Sequence, residues 1–115
     1  MTAVAALVAF LAVALGAFGA HGLEGKVDGG AMAWWTTATS YLLAHAIAVF
    51  AIGLSGRSGL MVTGGWLLLA GAVLFAATLY AMTLGAPRWL GAITPLGGVT
   101  LLAGWAVIAF AAWRG

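Results

Sequence analysis

The sequence predicts an all-α integral membrane protein, built as an antiparallel bundle of four transmembrane helices in a single domain. Of its 115 residues, 65% are hydrophobic and only 5% are charged, whereas soluble domains carry roughly 25% charged residues. Four uncharged apolar runs are each long enough to cross a bilayer core of about 30 Å. Short connections separate these runs, and such connections make consecutive helices antiparallel neighbours.

The first two predicted helices are bounded by charged residues. The first run carries no charge and predicts a helix over about residues 2–20. The second lies between Asp28 and Arg57 and predicts a helix over about residues 34–54. We expect the glycine-rich connection between them to form a flexible turn at the membrane surface.

The last two predicted helices are bounded by proline and by a capping signal. The third run ends before Pro87 and predicts a helix over about residues 60–84. Thr94 followed by Pro95 is typical of an N-cap residue with proline at the first helical position. The fourth helix is therefore expected over about residues 95–113.

Small residues recur on single faces of three predicted helices. Membrane helices associate through close van der Waals contact, because lipid tails are as apolar as leucine, and small side chains permit that contact. Two interpretations stay open: tight packing within the bundle, or an interface between copies of the chain. The stripes are Ala5, Ala9, Ala12, Gly16 and Gly19 on the first helix, Ala72 and Ala76 on the third, and Gly97, Gly104 and Ala111 on the fourth.

Tryptophan and tyrosine prefer the membrane–water interface, and most of the tryptophans fit this topology. Trp105 is the exception, because it falls within the fourth predicted helix. We expect it to pack inside the bundle or to face a partner or lipid. The residues near predicted helix ends are Trp34, Trp35, Tyr80 and Trp89 on one side and Trp66 and Trp113 on the other.

Basic residues are divided equally between the two sides of the predicted bundle. Arg57 and Arg114 lie on the side of the termini, and Lys26 and Arg88 lie on the other. The terminal amine adds a positive charge to the first side. Because cytoplasmic loops carry an excess of positive charge, both termini are expected in the cytoplasm.

Polar side chains are costly inside a membrane, so each is a candidate site. Thr37, Tyr41 and His45 are spaced by four and stack on one face of the second helix. The His45 imidazole lies roughly 16 Å from the start of that predicted helix, near the bilayer midplane. Thr78 and Thr100 lie at about the depth of Tyr41 on the neighbouring helices.

Three interpretations of this polar group stay open. A buried neutral imidazole needs both a donor and an acceptor, so the group can be a hydrogen-bonded tie that fixes helix register. It can instead line a site for a ligand, an ion or a proton. A metal or haem site would need an oligomer, because His21 is the only other histidine and lies at a different depth from His45.

The connection after the first helix holds His21, Glu24 and Lys26 among glycines. One interpretation is a helix C-cap, with Gly22 in the left-handed conformation and His21 contacting the last carbonyls. The alternative is an interface contact with a lipid headgroup or a partner, made together with Glu24 and Lys26.

The inventory of reactive groups argues against an enzyme. There is no cysteine, no acidic residue within a predicted membrane segment, and no nucleophile that could be assembled with a base and an orienting acid. We therefore expect no catalytic residue, no metal and no cofactor. A net charge of +2 from so few groups gives no support for nucleic-acid binding.

Three motifs resemble a known family. They are GAFGAHGL at residues 16–23, the run W-x-T-A-x-x-Y-x-x-x-H-A from Trp35 to Ala46, and LGAITPLGG at residues 90–98. Together they resemble the YgdD-like small membrane proteins, the family called domain of unknown function 423. The resemblance implies a four-helix protein of the bacterial inner membrane with no established activity. Relatives often carry glutamine and an aromatic residue where this chain has Leu42 and Ala44, which makes its second helix less polar.

Two functions follow as hypotheses. The first is helix–helix association, as a homo-oligomer or as an accessory subunit of a larger membrane complex surrounded by lipid. The second is binding or transport of a lipid-like molecule, a quinone or a small solute through a pocket at Tyr41 and His45. An oligomeric haem or metal protein is a third possibility.

Overall fold

The structure, a computed structural model, describes all residues from 1 to 115 and is all-α, which confirms the predicted fold class. Each of the four long helices is long and apolar enough to cross a membrane. A π-helical turn extends the first helix, and a 3-10 turn precedes the fourth. The helices are α1 (Thr2–Phe18), the π-turn (Gly19–Leu23), α2 (Gly29–Leu54), α3 (Leu60–Thr83), the 3-10 turn (Arg88–Ala92) and α4 (Thr94–Arg114).

The bundle is flattened, with Cα extents of 48 × 26 × 16 Å. Each helix packs most extensively on its neighbours in the sequence, and α1 and α4 share no extensive interface. Helices α2 and α3 therefore form the central pair, flanked by α1 and α4. The core between them is made largely of alanine and leucine: Ala5, Ala12, Ala38, Leu42, Val49, Leu68, Leu69, Ala72, Ala76, Leu79 and Leu101.

Helix α2 begins at Gly29 rather than near Trp34. The Asp28 side chain accepts a hydrogen bond from the Ala31 backbone N–H at 2.8 Å and so caps the helix. The glycine pair at the start suggests a turn by composition, yet the cap and the packing of the following residues outweigh it. The expected long flexible turn is thus reduced to residues 24–28.

The end of the first helix also differs from the prediction. The chain continues through the π-turn, in which the Glu24 N–H donates to the Gly19 carbonyl at 3.1 Å. Gly25, with φ of 83°, takes the left-handed conformation that the sequence suggested for Gly22. The predicted cap is therefore wrong. His21 is exposed. Gly22 lies against the Phe18 ring, and a Cβ at this position would come within 2.8 Å of that ring.

The predicted Thr94 cap of α4 is also wrong, because α4 already includes Thr94. The helix has no side-chain cap, although Pro95 lies in its first turn as expected. The 3-10 turn leads directly into α4, so Thr94 is already helical. Its hydroxyl donates to the Leu90 carbonyl at 3.2 Å and pairs with the Thr78 hydroxyl at 2.6 Å.

The small-residue stripes pack within the molecule. On α4, Gly97 and Gly104 of the predicted stripe pack against Gly71 and Gly64 of α3, which the predicted α3 stripe did not include; we call these four residues the glycine seam. A Cβ on Gly71 would lie 2.9 Å from the Gly97 carbonyl oxygen, and one on Gly64 would lie 3.1 Å from that of Gly104. On α1, a Cβ at Gly19 would meet the Trp35 indole at 2.5 Å. Most of the stripe residues are therefore covered within the chain, and Ala9 and Gly16 are half-buried.

Candidate functional site

A lateral groove opens on the outer surface between α2 and α4, with α3 as its floor. Its volume is about 480 Å³, within the usual range for small-molecule sites. No charged residue lines it. The residues that line the lateral groove are Tyr41, His45, Phe75, Pro95, Gly98, Val99, Leu101, Leu102 and Trp105.

His45 uses both ring nitrogens in hydrogen bonds. Its Nε2 accepts the Trp105 indole N–H at 3.1 Å. An indole N–H can only donate, so Nε2 carries no proton and the proton of the neutral ring lies on Nδ1. Nδ1 then donates to the Tyr41 backbone carbonyl at 2.7 Å. The imidazole is satisfied as a neutral group that links α2 to α4.

Trp105, the tryptophan that did not fit the membrane boundary, is therefore the partner of His45. The two rings lie 5.9 Å apart between centroids. Both residues were predicted to be unusual on separate grounds, but the sequence did not pair them. Both fall near the middle of their helices, and matching depth alone does not indicate which helix faces meet.

Tyr41 contributes an aromatic wall and a free hydroxyl. The centroids of the Tyr41 and His45 rings lie 5.9 Å apart with an interplanar angle of 14°. The centroids of the Tyr41 and Phe75 rings lie 4.6 Å apart. Of the two tyrosine hydroxyls, that of Tyr80 bonds Thr39 at 2.8 Å, whereas that of Tyr41 has no partner in the chain. A polar group without a partner at this depth in a membrane is costly.

The predicted threonine partners lie elsewhere. Thr78 bonds Thr94 between α3 and α4, and Thr100 donates to the Leu96 carbonyl of its own helix at 2.8 Å. Thr37 is exposed on α2 and does not line the groove. The expected tie through these threonines is therefore wrong, because equal depth does not turn side chains towards one another.

A second polar cluster, which the sequence did not predict, joins α1, α2 and α3. Trp35 is 2% exposed and donates its indole N–H to the Leu15 carbonyl at 2.7 Å. Its ring lies 4.3 Å from that of Tyr80 and 5.8 Å from that of Phe18. Trp35 is thus a core residue and not a surface anchor. The sequence feature that could have indicated this burial is the stripe of small residues that ends at Gly19, because the Trp35 indole packs against Gly19.

These residues suit recognition of a neutral molecule better than they suit metal ligation. Both nitrogens of His45 are already engaged, and no group of three or more histidine or acidic side chains is placed to hold a metal ion. The lateral groove offers flat aromatic surfaces and one free hydroxyl. This combination can stack against a ring and donate one hydrogen bond to it.

Comparisons with known proteins agree with the resemblance noted in the sequence. The profile of the family described as "Protein of unknown function (DUF423)" matches residues 15–98. A UPF0382 membrane protein of Staphylococcus epidermidis is 47% identical over 108 residues, which cover 92% of this chain and 88% of the relative. The UPF0382 membrane protein YwdK of Bacillus subtilis is 46% identical over 112 residues, which cover 93% of this chain and 90% of the relative.

A UPF0382 membrane protein of Staphylococcus haemolyticus is 41% identical, with 95% of this chain and 91% of the relative covered. No solved structure matches the chain significantly. The names of the relatives describe membrane proteins and give no activity. The matched profile and these relatives, which extend over nearly the whole chain, confirm the resemblance: the chain belongs to the DUF423 family of small membrane proteins.

Proposed function

We propose that the protein binds a neutral, membrane-dissolved molecule that carries a flat ring with a hydrogen-bond acceptor, of the quinone class, in the lateral groove. The observation that carries this proposal is the Tyr41 hydroxyl, which has no partner in the chain although it lies midway along a membrane-spanning helix. A ring carbonyl that accepts from this hydroxyl would remove the cost of leaving it unpaired.

The shape and charge of the groove support the same class of ligand. Tyr41 and Trp105 are 43% and 45% exposed, so their rings are accessible from the lipid phase. No charged side chain faces them, which favours a neutral ligand. Gly98 keeps the groove open on the α4 side, because no atom lies within 4 Å of the position that its Cβ would take.

Association with another chain, as a homo-oligomer or an accessory subunit, is the alternative. Its main support in the sequence was the set of small-residue stripes, and these pack inside the molecule. The remaining support for association is the apolar outer face of α1, where Leu7 and Phe10 are 64% and 70% exposed. Lipid alone can cover such a face. We therefore rank ligand binding first.

The cellular location that we propose is the cytoplasmic membrane of a bacterium, with both termini in the cytoplasm. The sequenced relatives are bacterial membrane proteins, and four apolar helices can span such a membrane. A reporter enzyme active only outside the cytoplasm, fused after Gly115, should be inactive. Activity of that fusion would reverse the orientation.

Ligand binding can be tested through the stability of the purified protein in detergent. A naphthoquinone with a decyl tail should raise the free energy of unfolding, by about 2.7 kcal/mol at one hundred times its Kd. A decyl naphthalene without carbonyl groups is the matched control and should stabilise the protein much less. Equal stabilisation by the two compounds would contradict the proposal, since the hydrocarbon cannot accept a hydrogen bond.

A further inference from the structure

A second groove lies between the end of α1 and the first turns of α2, on the side of the connection between them. Its volume is about 380 Å³. We call it the polar groove, and it shares no residue with the lateral groove. Its lining residues are Gly16, Ala20, Glu24, Met32, Trp35, Thr36, Thr39 and Ser40.

The polar groove offers hydrogen-bond acceptors and a single charge. Glu24 is the only charged residue in the lining, and its carboxylate and the Ser40 hydroxyl make no side-chain hydrogen bond within the chain. The Thr36 hydroxyl donates to the Met32 carbonyl at 3.1 Å, which leaves its oxygen free to accept. The two carboxylate oxygens of Glu24 and the Thr36 hydroxyl thus present three acceptors towards the mouth of the groove, and a primary ammonium group has three N–H donors to match them.

The mouth of the groove lies at the depth of lipid headgroups, whereas Ser40 lies roughly 16 Å from the start of α2, next to Tyr41. Helix α2 has 26 residues, a length of about 39 Å against a bilayer core of about 30 Å. Its first turn therefore reaches the headgroup region. The π-turn continues α1 to Leu23, so Glu24 follows directly and lies at the rim of the groove.

The connection also carries a positive charge two residues after this carboxylate. Lys26 is exposed and follows Glu24 in the short segment before Asp28. A phospholipid with an amino headgroup carries the complementary pair, an ammonium group and a phosphate. An anionic lipid without an amine would instead place its negative headgroup against Glu24, which like-charge repulsion disfavours.

From these observations we propose that the polar groove binds the primary-amine headgroup of a phosphatidylethanolamine-type lipid. Glu24 pairs with the ammonium group, and the Thr36 hydroxyl accepts a further N–H bond. The small side chains of Gly16 and Ala20 leave room for the attached lipid along α1. This site is independent of the ligand proposed for the lateral groove.

The test uses the full chain in detergent with equal amounts of phosphatidylethanolamine and phosphatidylcholine, and native mass spectrometry to weigh the retained lipid. Phosphatidylcholine has the same charges but no N–H donor. The wild type should retain phosphatidylethanolamine about tenfold more, the ratio expected for one charge-assisted hydrogen bond. Glu24→Gln should abolish this preference, and Thr36→Val should reduce it.

Thr37→Val is the matched control, because Thr37 is exposed on the same helix outside the groove, and it should leave the preference unchanged. The unfolding midpoint of each variant checks that it is folded. Equal retention of the two lipids by the wild type would overturn the proposal, and so would an unchanged preference in Glu24→Gln. Preferential retention of phosphatidylglycerol, tested in the same way, would also overturn it.

Discussion

At the scale of single residues, the contact between His45 and Trp105 links the two helices that border the lateral groove. The indole N–H reaches the imidazole Nε2 at 3.1 Å, and the other ring nitrogen bonds the α2 backbone. Hydrogen bonds between membrane helices contribute about 0.6 kcal/mol on average and rarely more than about 1.7 kcal/mol. The contact therefore orients the groove walls more than it stabilises the fold.

Trp105→Phe tests this contact because it removes the N–H and keeps an aromatic ring. We expect the free energy of unfolding to fall by about 0.5–1.5 kcal/mol, since Nε2 of His45 loses its donor. The measurement is reversible unfolding in mixed micelles. If His45→Ala lowers the free energy of unfolding by as much in the Trp105→Phe background as in the wild type, the two residues do not interact.

Trp66→Phe is the matched control. Trp66 is 44% exposed against 45% for Trp105, and only Trp35 and Trp105 use the indole N–H in a hydrogen bond within the chain. This variant should change the free energy of unfolding by less than about 0.5 kcal/mol. If both variants cost the same, the effect comes from ring size and not from the hydrogen bond.

At the scale of helices, the glycine seam brings α3 and α4 closer than side chains would permit. A Cβ at Gly97 would lie 2.6 Å from the Phe75 backbone nitrogen and 2.9 Å from the Gly71 carbonyl oxygen. These neighbours are backbone atoms, so they can yield only if the helices separate. The next residue, Gly98, faces the lateral groove, and a Cβ there meets nothing within 4 Å.

Adjacent glycines on α4 therefore make a matched pair for mutation. Gly97→Ala should lower the free energy of unfolding by about 1–3 kcal/mol, because it overpacks the seam. Gly98→Ala should be neutral or stabilising by up to about 1 kcal/mol, since alanine favours a helix more than glycine does. Thermal unfolding in one detergent compares them, and similar midpoints for both variants would argue against the close contact of α3 and α4.

Helix existence was predictable from the sequence, whereas helix ends were less so. Long apolar runs indicate membrane helices through their length alone. The start of α2 was placed too late because Gly29 and Gly30 are poor helix formers by composition. The Asp28 cap that starts the helix was a readable signal, since aspartate is favoured at this position.

At the scale of the whole molecule, the sequence indicates how many helices there are but not which faces meet. In a soluble bundle, the apolar face of each helix identifies the core. Here nearly every helix face is apolar, so the residue that contacts His45 could not be identified from the sequence. The depth of Tyr41 and His45 in the membrane could be estimated from their positions along the helix. Small residues were the better guide, because the stripe at Gly97 and Gly104 does lie in a helix–helix contact.

The flattened arrangement also leaves open the lateral groove and the polar groove, which share no lining residue. One contains a free tyrosine hydroxyl among aromatic rings, and the other contains a free carboxylate near the headgroup level. We therefore assign a neutral ring to the first groove and an ammonium headgroup to the second. Binding of a membrane-dissolved ring in the lateral groove is the function that we propose for this molecule.

Native mass spectrometry of the protein released gently from its own membranes, with an absorbance spectrum of the same sample, tests for this bound ring. We expect a monomer that carries a reproducible small-molecule mass. Gly98→Phe, which fills the groove, should lose this mass. Leu96→Phe, which adds bulk at an exposed position of α4 outside the groove, should keep it. A discrete oligomer without any added mass, or the same mass retained by Gly98→Phe, would contradict the proposed function.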